Sequence, residues 1–381
     1  MNRVALKMLF GDRAKLLGLV FGMAFSTLLV TQQAAMFVGI MARTANQINV
    51  TREPDIWVMD PQVEYVDTAK PLRDTELARV RGVPGVAWAV PFFRGQAVIT
   101  TPGAPLQNGF IYGLDDATLI GLPGEVVAGS REALYNPDAI AIDEPGFKRM
   151  WPGLAPAPGP ELELNDRRAV VAAIVRTLPP FQTQPLIYTR YSQALAYTNN
   201  GRNQLTFVLA KAAPGQDVRT VAAEITRRTG LKALPADDFR RATMLYFLKN
   251  TGIPVNFGTV VVLGVIVGIA VVGLTFHMFV IENLKQYAAL KAMGVTDGRL
   301  LQMVLLQASV IGAVGYCLGL AVAAFFFEAA TSSPTSFFRG FYLPWQIALV
   351  TGVVAALIML VTALVSMRRV LVADPAIVFR G

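Results

Sequence analysis

Residues 255–281 read VNFGTVVVLGVIVGIAVVGLTFHMFVI, and residues 282–299 continue as ENLKQYAALKAMGVTDGR. The first stretch carries no charged side chain. At about 1.5 Å per residue it is long enough to cross a hydrocarbon core of about 30 Å, which predicts a transmembrane helix. The second stretch is charged and periodic. Leu284, Tyr287, Leu290 and Met293 recur every third residue, with Glu282, Lys285 and Lys291 on other faces. This predicts an amphipathic helix leaving the membrane, ended by Gly294 at a C′ position and a loop over residues 295–298. Periodicity leaves two surroundings open for it: lipid headgroups, or a groove on a partner protein.

Three further apolar runs lie outside this stretch, at residues 16–41, 300–327 and 345–367. The first is too long for the apolar core of a cleaved signal peptide, about 7–15 residues, and is expected to stay as a span. Its Gln32 and Gln33 are unfavourable towards lipid and are expected to face protein or the outer interface. Before it, residues 1–15 carry Arg3, Lys7, Arg13 and Lys15 against Asp12, with Leu6, Leu9 and Phe10 as a possible apolar stripe. They read as an interfacial segment. The chain is 54% hydrophobic and only 16% charged over 381 residues, whereas soluble domains have about a quarter charged.

Counting Lys and Arg orients the spans. The N-terminal segment, the loop 282–299 and the tail 368–381 together hold ten, against one, Arg339, in the connection 328–344. That places both termini and the 282–299 loop in the cytoplasm. Residues 42–254, with nearly balanced charge and most of the prolines, are then extracytoplasmic. Alternating apolar segments predict strands at 55–59, 86–91, 96–101, 110–114, 139–142, 161–164, 170–175, 186–189 and 205–211, with a hairpin at Asn165 and Asp166. Helices are expected at 74–81 and 217–229, capped by Asp74 and Asp217, and at 191–197. The proline-rich residues 151–160 are expected as a boundary or exposed loop between two lobes. A helix over 237–250, capped by Asp237 or Asp238, leads to a break at 251–254, where Pro254 removes a donor. The fold class is therefore a membrane α-helical protein with four transmembrane helices and a large α+β extracytoplasmic domain between helices 1 and 2.

The chemistry left out is as informative. The sequence contains no G-x-x-x-x-G-K-[ST], no G-x-S-x-G and no H-E-x-x-H. With one histidine, His277, and one cysteine, Cys317, both in apolar runs, a zinc site and an intramolecular disulfide are excluded. His277 reads as a packing or interfacial residue. No cofactor, metal or catalytic residue is expected, and the +8 charge gathers beside the spans, as topology rather than as a nucleic-acid patch. The spans also lack the mid-membrane Asp, Glu, Lys or Arg of an ion or proton pathway. Small residues at four-residue spacing, Gly18 and Gly22, Gly264 and Gly268, Gly315 and Gly319, suit close helix contacts.

One span, a large outer α+β domain, three more spans and the cytoplasmic segment ENLKQYAALKAMGVT (residues 282–296) together resemble the MacB/FtsX-like permeases of ABC transporters, particularly the DevC-type exporters. Glu282, Tyr287, Leu290, Lys291, Ala292, Met293, Gly294, Val295 and Thr296 fit the family's pattern, while Gln286 stands where an acid is frequent. Residues 77–90, LARVRGVPGVAWAV, are similar to the opening helix and strand of the family's outer domain, and Asp374 to Arg380 to its C-terminus.

The resemblance implies a homodimeric inner-membrane permease with a separate cytoplasmic ABC ATPase, which holds the ATP and Mg. The coupling helix, Glu282 to Gly294, would seat on that ATPase with Leu284, Tyr287 and Leu290 as anchors and Lys285 and Lys291 at the rim, a helix-in-groove mode. It further implies transmission of ATP-driven motion to the outer domain to drive export, together with a periplasmic adaptor and an outer-membrane channel. Two alternatives stay open: an FtsX-type signalling module activating a cell-wall hydrolase, and a lipoprotein-extracting permease. Lipid, glycolipid, peptide, haem and drug are all compatible substrates.

Overall fold

The computed structural model describes residues 2–68, 70–102, 105–177, 181, 184–198, 204–332, 338 and 341–372, with side chains as far as Arg368. Arg339 and the C-terminal run Asp374 to Arg380 lie outside the described residues. The chain divides into two compact units, one of Met1–Gly39, Gly252–Ala330 and Phe341–Gly381, the other of Ile40–Thr251 and Thr331–Gly340.

The first unit is helical. Among the described residues, four helices are long and apolar enough to cross a membrane: Arg13–Thr44, Ile253–Glu282, Asp297–Thr331 and Trp345–Arg368, the last continuing in helical form to Val372. Each extends past the apolar run that the sequence marks, because flanking polar residues still hydrogen-bond within the helix once it is nucleated. Pro254 sits in the first turn of the second span, where its missing N–H has no intrahelical partner to lose. A short helix, Asn2–Gly11, precedes the first span and buries Ala5 and Leu9. The interior is one apolar cluster, including Leu19, Met23, Val272, Phe276, Phe279, Met303, Ile311 and Met359.

The second unit is built on strands β1 (Ile56–Met59), β2 (Leu72–Arg73), β3 (Val86–Thr100), β4 (Gln107–Leu114), β5 (Glu125–Gly129), β6 (Ala139–Asp143), β7 (Glu161–Leu164), β8 (Arg167–Arg176), β9 (Leu186–Arg190), β10 (Gln204–Leu205), β11 (Phe207–Ala212) and β12 (Lys232–Pro235). The main sheet runs β12-β1-β11-β3-β4-β9-β6-β8-β5, with β7 bridging β3 and β8, and β2 pairs with β10 apart from it. Within it, β1, helix Thr75–Arg81, β3, β11, helix Val218–Thr229 and β12 form a split β-α-β arrangement with all neighbours antiparallel. The rest of the sheet is inserted between β3 and β11.

Alternation explains why so many strand residues are apolar on both sides. In β1, Trp57 and Met59 enter one core with Phe92, Phe207 and Phe239, while Ile56 and Val58 enter another under the two helices. In β6, Ala141 joins the first core, and Ile140 and Ile142 a third with Phe147 and Ala194. A sheet covered on both faces leaves no polar side to read.

Several expectations are corrected here. The two strands expected at 86–91 and 96–101 are one strand, β3. Its first half pairs with β11 and its second with β4, whose register begins at Phe93. Phe92 O accepts from Thr206 N at 3.0 Å, so the donor missing at Pro91 points away from β11, to the side where the pairing with β4 starts only at Phe93. Residues 151–160 form an exposed loop between helix Glu144–Met150 and β7, inside the inserted lobe rather than at its boundary. Asp237 and Asp238 are first-turn acids of helix Ala236–Asn250 and not caps, paired with Arg240 at 3.0 Å and Arg219 at 3.1 Å. Asp74 and Asp217 do cap, accepting from Thr75 N and Thr220 N. Asn165 and Asp166 both have positive φ, as a two-residue hairpin with twisted strands requires.

Candidate functional site

The polar segment after the second span is an independent helix, Leu284–Ala292, set off by a break at Asn283. Asn283 ends the span by donating from Nδ2 to Phe279 O at 2.8 Å, and its own carbonyl accepts from Gln286 N and Tyr287 N. At the other end Gly294 takes φ +86. Gly294 N donates to Lys291 O at 3.0 Å and Val295 N to Leu290 O at 3.1 Å, the paired bonds of a Schellman cap, with Val295 and Leu290 packed on the same cluster. The left-handed conformation there is why glycine follows Met293.

One face of this helix is bound to its own chain. Tyr287 is 1% exposed and Ala288 is buried. The Tyr287 hydroxyl donates to Gln307 Oε1 at 2.8 Å, and Gln307 Nε2 donates to Ala5 O at 2.9 Å. Gln307 lies wholly buried in the third span. Three elements, the N-terminal helix, the polar helix and the third span, are thereby tied through one amide. Burial pushes the Tyr287 phenol up to about 12, so at neutral pH it is a protonated donor. A buried amide with both ends satisfied fixes geometry strongly, because any slip leaves a polar group unpaired.

The expected anchors are redistributed by this packing. Tyr287 does not face outward, Leu290 is half-buried against the spans, and Leu284 is half-buried. The sequence period of three placed Leu284, Tyr287, Leu290 and Met293 on one stripe, but at 100° per residue such a stripe drifts around the helix. Its inner end packs inward and Met293 ends 73% exposed. Lys285 and Gln286 are exposed beside it. Lys291 pairs with Asp297 at 3.2 Å, and Glu282 pairs with Lys15, which also holds Asp12 at 2.8 Å. An open cleft of about 540 Å³, lined by Val4, Lys7, Asp12, Glu282, Asn283 and Gln286, separates the N-terminal helix from the polar one. Gln307 escapes the sequence reading, since as one of two amides in its apolar run, with Gln302, it carries no mark of its own.

The glycine pairs lie where the first span meets its neighbours. A Cβ at Gly315 would come within 2.5 Å of Met23 Cβ, and one at Gly319 within 2.7 Å of Thr27 Cβ. A Cβ at Gly268 would lie 2.8 Å from Ser26 Cβ, and one at Gly264 3.4 Å from Leu29 Cβ. Ser26 Oγ donates to Gly264 O at 2.9 Å. Gly22 similarly receives Val271.

Comparison with known proteins gives concordant matches along the chain. Residues 16–228 match the model of the MacB-like periplasmic core domain, and residues 258–375 that of the FtsX-like permease C-terminal region. Relatives include an uncharacterized ABC transporter permease found in two strains of Mycobacterium tuberculosis, 26% identical over 374 residues, which are 96% of this chain and 93% of that protein. Among solved structures, the periplasmic region of MacB from Actinobacillus actinomycetemcomitans aligns over 54% of this chain and 96% of its own, with 11% identity and a TM-score of 0.40. The extracellular domain of the noncanonic ABC-type transporter YknZ from Gram-positive bacteria aligns over 48% and 98%, with 11% identity and a TM-score of 0.37.

Proposed function

The chain belongs to the MacB-like and FtsX-like ABC transporter permeases, and from that premise we propose that it is the motion-transmitting subunit of an export system driven by a separate ATPase. It is a multi-pass membrane protein. Two copies of it work with the ATPase bound at the helix Leu284–Ala292 on the cytoplasmic side of the inner membrane, an orientation supported by the ten-to-one distribution of basic residues. ATP and Mg belong to the partner. Motion reaches the outer domain through the spans, and an adaptor and an outer-membrane channel complete the route.

The observation that carries this reading is the two-sidedness of the polar helix. Its inner face is fixed by the Tyr287–Gln307–Ala5 chain, and its outer face presents Lys285, Gln286 and Met293. A helix held rigidly on one side and free on the other transmits displacement, where a loosely lying one would absorb it.

Affinity purification of the tagged protein from its native membrane tests the reading. Wild type is expected to bring down a P-loop ATPase in equal amount together with an adaptor, and Met293→Asp to lose it at least tenfold without loss of the folded permease. A charge in an interface core disrupts binding, whereas at a surface facing only water or headgroups it does not. ATPase recovery unchanged in Met293→Asp overturns the docking assignment. A cell-wall hydrolase in place of the adaptor replaces export with signalling.

A further inference from the structure

Between the second and fourth spans lies a cavity of about 290 Å³, lined on its apolar side by residues such as Ile269, Leu274 and Val365 and on its polar side by His277, Thr362 and Ser366. The three polar side chains share one feature. Among the described residues, His277 Nδ1, Thr362 Oγ1 and Ser366 Oγ are buried and have no hydrogen-bond partner. Thr362 is 3% exposed and Ser366 1%. A helical threonine or serine ordinarily returns its hydroxyl to a carbonyl one turn back. Thr351 of the same helix does so, donating to Ile347 O at 2.9 Å. One turn apart on one face, Thr362 and Ser366 do not. The wall has room at Gly273, where even an added Cβ would approach Thr362 Oγ1 only to 3.9 Å.

Hydroxyls left without partners among apolar side chains are unfavourable, more so where no water reaches. Something that brings hydrogen-bond acceptors is therefore called for. The rim gives its character: Leu274, Val361 and Val365 are exposed apolar residues, so the groove opens on the lipid-facing side of these helices. The depth gives its place. Ser366 and Thr362 lie about 3 and 9 Å along the helix from Arg368, and His277 about 8 Å from Glu282, at 1.5 Å per residue. That is the zone where ester carbonyls meet the acyl chains. Arg368 is exposed one turn beyond Val365 on the same face.

We propose that this groove is a binding site for a phospholipid of the leaflet on the Arg368 side, with its acyl chain along Ile269 and Leu274, its ester oxygens accepting from Thr362 and Ser366, and its phosphate on Arg368. A free phosphate has no counterpart to the apolar wall. The site is independent of the ATPase-docking assignment.

Native mass spectrometry of the full-length protein in mild detergent, titrated with phosphatidylglycerol and with phosphatidylcholine, tests it. Wild type is expected to retain one lipid after the others have been stripped. The near-isosteric double variant Thr362→Val with Ser366→Ala should lose it at least tenfold, and Arg368→Gln should abolish the preference for the anionic lipid. Circular dichroism and size exclusion establish that the variants fold. Equal lipid retention by wild type and double variant overturns the proposal. So does a change in oligomeric state without a change in lipid count, which would give the groove to a second copy of this chain.

Discussion

The outer sheet and the membrane helices solve the same packing problem with opposite residues. The sheet fills its central core with large rings: Trp57 lies 5.2 Å from Phe207 and 5.7 Å from Phe92, centre to centre, with Phe239 against them. The helices instead remove side chains at their contacts, so that Gly315 and Gly319 admit the backbone and β-carbons of the first span. The reason is the solvent each escapes. Water rewards burial of apolar area, and aromatic side chains supply most of it. Lipid offers no such reward, leaving close van der Waals approach and hydrogen bonds such as Ser26 to Gly264.

If this contrast holds, substitutions of opposite sense should damage the two units. The largest effect is expected for Trp57→Ala, which should lower the stability of the outer domain by about 3–5 kcal/mol through the cavity it leaves. Denaturant unfolding of the full protein, followed by outer-domain fluorescence, measures it. Gly319→Leu should destabilise the helical unit by about 1–3 kcal/mol or more, because the first span has to shift. Thermal unfolding in detergent should fall, while the outer-domain transition stays in place. Were Gly319→Leu silent, the glycine contacts would be incidental.

The polar contact in the helical unit makes a sharper test. Gln307→Leu leaves the buried Tyr287 hydroxyl unpaired, at about 1–3 kcal/mol. Amide exchange over residues 2–11 and 284–292 should rise together, since one side chain ties both. Exchange confined to one segment would mean that they are not coupled. The smallest effect belongs to the exposed surface of the outer domain. Arg227 and Arg228 hold the Glu224 carboxyl down to about 2 from the ordinary 4.5. Its contribution is thus complete above about 4.5 and is lost as pH falls through about 2. A carboxyl titration followed by NMR should place the midpoint there, and added salt should raise it.

What could be read from the sequence follows the same division. Long apolar runs mark spans because nothing else in a chain looks like them, and Asn165-Asp166 marks its hairpin by local turn chemistry. Strands β5 and β12 and helix Glu144–Met150 escaped: the first is a short edge strand ending in Gly129, the second ends in Pro235, and the helix carries Pro145 and Gly146. Continuity of β3 through Pro91 depends on which neighbour lies where, and no local rule carries that. At the polar helix, the Gly294 stop was legible, but the inward turn of Tyr287 was not. It is set by Gln307, twenty residues away and one amide among apolar neighbours.

The most direct test of the central claim is to reconstitute the permease with the proposed partner ATPase in lipid nanodiscs and measure ATP-dependent amide exchange across residues 42–254, in wild type and in Gln307→Leu. The account predicts that ATP changes outer-domain exchange in wild type, and that Gln307→Leu keeps the ATPase bound but loses most of that change. An outer domain that responds equally in both would contradict transmission through the Tyr287–Gln307–Ala5 tie.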